Sequence, residues 1–156
     1  MGGFFFVHDM MERYSFTLHR MRLTERTIGP AESKMLDLTL RVAFFGEFFG
    51  HGVFAWQLKK RFLEMLEAMI GVSGETAEKL MRAIGAVDMA AAVLVLFYPV
   101  RIVLAGGTLW ALATAIARPV AGDPIWDFVE RWANVGVPLA LLLVRGWPKT
   151  SKEWFR

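Results

Sequence analysis

Apolar residues gather in several stretches along this chain, each interrupted by one or two charged or small residues and closed by glycine, proline or a basic cluster. No stretch reaches about 18 uninterrupted apolar residues, so the spans are read from their flanks as much as from their length. The first covers 35–58, with Trp56 at an interface and Lys59, Lys60 and Arg61 beyond it. Next, Phe62, Met65, Leu66, Met69 and Ile70 recur at helical spacing with Lys60, Glu64 and Glu67 between them. That pattern predicts a one-sided helix lying flat on an interface. A second span covers 78–98, and Pro99 opens a short turn whose only charge is Arg101. The third, 101–117, is the cleanest, and the Pro- and Gly-containing segment 118–124 reads as a turn in which Asp123 caps the following helix. The fourth covers 125–144 and stops at Gly146 and Pro148. Four spans with tight connections predict an all-α integral membrane protein, an antiparallel four-helix bundle with an amphipathic interfacial helix between the first and second spans.

Around this bundle, 35–146, the pattern sets an amphiphilic N-terminal segment, 1–34, and a basic aromatic tail, 147–156. Within the former, 9–26 reads as a surface helix on the membrane or on another subunit, and Gly29-Pro30 ends it. The apolar run 2–7 is too short for a signal-peptide core, so no cleaved leader is expected. Phe6 stands where a myristoylation motif requires Ser or Thr. Lys and Arg are more numerous in the N-terminal segment, at Arg101 and in the tail than in the first loop and at Arg118, which predicts both termini on the cytoplasmic side.

A hydrophobic content of 55%, with six Trp and thirteen Phe in 156 residues, places the chain with membrane proteins, a water-soluble helical protein being the competing reading. With no cysteine, disulfides, thiolate metal ligands and dithiol electron transfer are excluded. The net charge of +3 is modest and its cations flank the apolar segments, so their partners are lipid head groups and not nucleic acid.

Ionisable residues at membrane depth are costly and persist where they face protein or water. Glu47 and His51 stand one helical turn apart in the aromatic middle of the first span, where the carboxylate can accept a hydrogen bond from the imidazole. Such a pair can relay a proton or bind a quinone oxygen. On the fourth span Asp127, Glu130, Arg131 and Asn134 fall on one polar stripe, and Pro138 frees the Asn134 carbonyl as an additional acceptor. Asp88 is the third ligand or relay candidate, Glu130 and Asn134 the others, with Arg41, Arg118, Arg131 and Asp127 as charge partners. The plainer reading is that these charges pair only to fix helix register. No metal site is expected, because a di-metal bundle needs Glu-x-x-His twice and this chain has one Glu-x-x-x-His. Haem ligation by His51 lacks a second axial histidine. No catalytic triad, phosphate loop or nucleotide fingerprint is present, so no catalytic residue is assigned. Gly46 with Gly50, and Gly107 with Ala111 and Ala115, repeat at four-residue steps and predict close helix packing.

Arg41, Gly50-His51-Gly52, Ile84-Gly85-Ala86-Val87-Asp88, Pro99 with Arg101, Thr114 with Arg118-Pro119, and the set Trp126, Phe128, Glu130, Arg131, Asn134, Gly136 and Pro138 together resemble the DoxX-like family over 35–146. The resemblance implies a four-helix protein of a bacterial inner membrane. Some relatives are similar to the small membrane subunit of a thiosulfate:quinone oxidoreductase, and others accompany cysteine-based redox maturation, from which this thiol-free chain departs. Two functions are expected on these grounds. One is a non-enzymatic accessory or scaffold subunit of a membrane redox complex, gripping lipids and other membrane subunits through its termini. The other is a redox-associated protein that binds a quinone or other lipophilic ligand, or relays protons, through Glu47, His51 and Asp88.

Overall fold

A computed structural model of the chain describes residues 28–156. The surface helix expected over 9–26 lies outside the described residues. The chain divides into two compact units, 1–32 and 33–156. Among the described residues all regular structure is helical: α1 (Pro30–Trp56), α2 (Lys60–Ile70), α3 (Gly74–Phe97), α4 (Arg101–Val120), α5 (Ile125–Val129), α6 (Trp132–Val144) and a closing 3-10 turn (Ser151–Phe155).

Proline opens α1 where its missing N–H costs nothing, and the Glu32 carboxylate accepts the Gly29 N–H at 3.1 Å. After Trp56 the chain reverses through Leu58, a non-glycine residue at φ 57°. That left-handed backbone costs roughly 1–2 kcal/mol and aims α2 back across the bundle. Gly71, at φ 70°, ends α2 in the left-handed cap that glycine adopts without strain, its N–H bonded to the Glu67 carbonyl. The one-sided helix predicted from spacing therefore forms, over Lys60–Ile70.

Among the described residues two helices, α3 and α4, are long and apolar enough to cross a membrane, yet only 28% of the apolar window of each is buried. At 1.5 Å per residue they measure about 36 and 30 Å, the thickness of a hydrocarbon core. The fourth expected span is not continuous. It breaks between α5 and α6 at Glu130-Arg131, where hydrogen bonding tightens (Arg131 N–H to the Phe128 carbonyl, 3.2 Å). Glu130 turns outward, its side chain 68% exposed, whereas Arg131 turns inward at 20%. The polar stripe expected along one helix face is consequently divided between two elements.

In the core, the Phe44 and Phe48 rings stack at 4.0 Å and 8°, surrounded by Val95, Leu104, Leu141 and Leu142. Gly107 lies under Phe44, where a Cβ would meet the ring at 3.0 Å, and Ala111 is buried. The close approach expected at Gly46 and Gly50 occurs elsewhere. A Cβ at either would meet nothing within 4 Å, whereas at Gly85 it would meet the Gly52 carbonyl oxygen at 2.6 Å and the Trp56 nitrogen at 2.7 Å. Helices α1 and α3 thus cross backbone to backbone at Gly52 and Gly85. Small-x-x-x-small spacing signals that a close face exists without fixing which side of the helix it occupies.

The tail folds back on the start of α4. Arg101 donates to the carbonyls of Arg145 (2.6 Å), Gly146 (2.9 Å), Arg156 (3.1 Å) and Glu153 (3.2 Å). One guanidinium thereby ties the end of α6 and the tail to the start of α4.

Candidate functional site

Helix α2 lies over a cavity of about 430 Å³. Its walls are apolar, with Phe62, Met65 and Met69 from α2, Met81 and Ile84 from α3, and Ala111 from α4. Into this lining project Glu47 and His51 of α1, Asp88 of α3, Trp110 and Arg118 of α4, and Arg131 from the α5–α6 break. Of the sequence-derived ligand candidates, Glu47, His51 and Asp88 line the cavity, whereas Glu130 and Asn134 do not. Among the charge partners Arg118 and Arg131 reach it. Asp127 does not line it, and Arg41 pairs with Asp37 at 2.5 Å near the opposite end of the bundle.

Glu47 and His51 do not bond through their side chains. The imidazole Nδ1 lies 3.0 Å from the backbone oxygen of Glu47, and Nε2 lies 2.9 Å from Nη1 of Arg131. A helical side chain leans toward the N-terminus, which brings a histidine ring onto the carbonyl one turn back. A guanidinium only donates, so Nε2 must be the acceptor and Nδ1 must carry the proton that goes to the Glu47 carbonyl. Both ring nitrogens are thereby engaged. Arg131 also interacts electrostatically with Glu47, Glu130 and Asp127. The Phe62 ring of α2 lies 6.1 Å from the imidazole.

Asp88 is the one buried charged side chain among the described residues, at 8% exposure. Its carboxylate has the Trp110 indole as hydrogen-bond partner. Trp110 was not picked out by the sequence reading. The available signal was an indole N–H, a donor that favours an acceptor, on a third span poor in other polar groups.

At the cavity's rim, Arg61 of α2 holds the α4–α5 turn. It donates to the Ala121 carbonyl at 3.0 Å, to Glu64 at 2.8 Å, and to Asp123. Arg118 approaches the second oxygen of Asp123 at 3.5 Å. Asp123 therefore does not cap the following helix as expected, and Pro124 occupies that cap position without a side-chain bond. Hydrogen bonds from Arg61 hold both Asp123 and Glu64 below the usual carboxylate range.

Among the described residues, no three His, Asp or Glu side chains gather as a metal-binding group. Comparison with protein-family models, curated proteins and solved structures finds no match to this chain.

Proposed function

We propose that the chain is a small multi-span membrane protein that holds a lipophilic ligand bearing polar oxygens, quinone-like in size and polarity, in the cavity beneath α2. The observation that carries this reading is the meeting of His51, Asp88, Trp110 and Arg131, drawn from separate elements, in one otherwise apolar space. Its volume of about 430 Å³ falls in the range of small-molecule sites, which join apolar walls to a few convergent polar groups. Arg131 supplies a donor to a ligand oxygen, the Trp110–Asp88 pair supplies polar groups on another wall, and Met65, Met69 and Met81 adapt to a ring or isoprenoid chain.

The membrane reading is supported by α3 and α4, long apolar helices of whose apolar windows only 28% is fully buried. Large surfaces of this kind suit lipid and not water. In this reading α1, α3, α4 and the broken α5–α6 pair cross a bacterial inner membrane with both termini cytoplasmic, and α2 lies at the opposite face. The DoxX-like resemblance points the same way.

Ligand binding is favoured over proton relay by the state of His51. With Nδ1 on a backbone carbonyl and Nε2 on Arg131, the ring has no open lone pair to receive a proton, nor one to ligate a haem iron. An accessory-subunit role draws on the exposed Trp126 and Trp132 at 73% and 55%, a face suited to a neighbouring membrane subunit as well as to lipid.

The test is purification from carbonate-washed membranes in mild detergent, followed by solvent extraction and mass spectrometry. A stoichiometric lipophilic molecule, lost from His51→Phe and Arg131→Leu proteins that still fold, is the expected result. A chain released by the carbonate wash, or one carrying only bulk lipid, removes the reading, and recovery of a stoichiometric protein partner without a ligand replaces it with the accessory role.

A further inference from the structure

A second, open recess of about 410 Å³ lies at the far end of the bundle from the cavity, between the start of α1 and the end of α6. It is lined by Ser33, Lys34, Asp37, Arg41 and Arg145, with Leu38 and Val144 at its apolar side. Three cations face one carboxylate there, leaving a surplus of two positive charges. Asp37 bridges the arginines, one oxygen to Arg41 at 2.5 Å and the other to Arg145 at 3.0 Å. The Nε atoms of both arginines are buried without a hydrogen-bond partner. A guanidinium presents its donors as a planar fork that fits the oxygens of a phosphate. The recess thus offers surplus positive charge on Lys34, Arg41 and Arg145 and a hydroxyl at Ser33, beside Leu38, which is 59% exposed. Cations bordering apolar side chains at a helix end are what the boundary between head groups and acyl chains demands.

We propose that this recess binds the phosphate of an acidic phospholipid head group. Asp37 holds the two arginines together between occupancies and competes with the phosphate for them. The inference uses the membrane-spanning reading but is independent of the ligand assigned to the cavity.

The full chain in nanodiscs of neutral phosphatidylcholine is titrated with phosphatidylglycerol, and in a parallel arm with inorganic phosphate, binding being read by native mass spectrometry and thermal stability. Removing one cation should weaken phosphatidylglycerol binding about fivefold, at roughly one charge's worth of interfacial attraction. Lys34→Gln tests this without touching the Asp37 pairs, and Arg145→Gln tests it at the fork. Asp37→Asn should strengthen binding by a similar factor even as it loosens the helix ends, an effect opposite to that of a purely structural pair. Wild-type binding no stronger for phosphatidylglycerol than for phosphatidylcholine, or no gain in Asp37→Asn, overturns the proposal. Equal binding of inorganic phosphate with the same dependence on Lys34 keeps the phosphate chemistry and overturns the lipid as its source. A chain that does not enter nanodiscs refutes the membrane reading, and the phosphate arm is then read in buffer.

Discussion

Replacing Gly85 by alanine puts a methyl group where the structure leaves no room. Its Cβ would lie 2.6 Å from the Gly52 carbonyl oxygen and 2.7 Å from the Trp56 nitrogen, both backbone atoms that no rotamer change can withdraw. Restoring an ordinary contact of 3.4 Å requires α1 and α3 to separate by about 0.8 Å, the difference between 3.4 and 2.6 Å. Overpacking of this kind costs about 1–3 kcal/mol. Alanine is also a better helix former than glycine by about 1 kcal/mol, which offsets part of the loss. The control removes that offset: Gly46→Ala makes the same chemical change in α1 where a Cβ meets nothing within 4 Å. Gly85→Ala should therefore be about 1–3 kcal/mol less stable than Gly46→Ala when each is unfolded by SDS in mild detergent and followed by far-UV circular dichroism. The same displacement, taken up by α1, is enough to open the 2.9 Å contact between His51 and Arg131, so Gly85→Ala should also lose ligand. Equal stability of the two variants would refute the backbone crossing.

Three further outcomes are expected. Arg131→Leu should weaken a quinone-like ligand by about 10- to 100-fold, the worth of a hydrogen bond from a charged donor, with little change in helicity; isothermal titration with a short-chain quinone checks this. Trp110 faces the same cavity, so its emission should be quenched as that quinone is added, and Trp110→Phe should remove the quenching while the other Trp residues report no change. Asp123 is held below the usual carboxylate range by Arg61, so its contribution to stability is complete above the unfolded-state value of about 4 and is lost as pH falls through the lower folded value. The midpoint difference between wild type and Asp123→Asn should thus be constant from about pH 5 to 7 and shrink below about pH 4, and a difference that grows on acidification would contradict the Arg61 bond.

Helix placement was legible because it depends on local signals. The spacing of Phe62, Met65, Leu66, Met69 and Ile70 marked α2, Pro99 and Arg101 marked the start of α4, and Gly146 with Pro148 marked the end of α6. The break at Glu130-Arg131 was not legible, since no Pro or Gly marks it and the partner that Arg131 meets there, His51, is 80 positions away. The cavity set was legible in part. Glu47, His51 and Asp88 stand out as ionisable residues among apolar neighbours, but i, i+4 spacing cannot distinguish a bond to the Glu47 carboxylate from one to its carbonyl. Gly52 and Gly85 were missed as packing residues because the same glycine-rich stretch offers Gly46 and Gly50 at the more familiar four-residue step, on a different side of the helix. The Asp37–Arg145 pair joins residues 108 positions apart, which no local pattern reveals.

At Gly52 and Gly85 the two rods meet main chain to main chain, with the side chains of Met89 and Ala55 beside the contact, so their spacing there is set mainly by fixed atomic radii and little by side-chain torsion. Whatever elasticity a guest molecule demands must come from the unbranched thioethers of Met65, Met69 and Met81 on the surrounding walls. On the ligand-binding reading, selectivity falls to the polar groups of His51, Asp88, Trp110 and Arg131, and tolerance for tails of different length to the pliable sulfur-bearing walls.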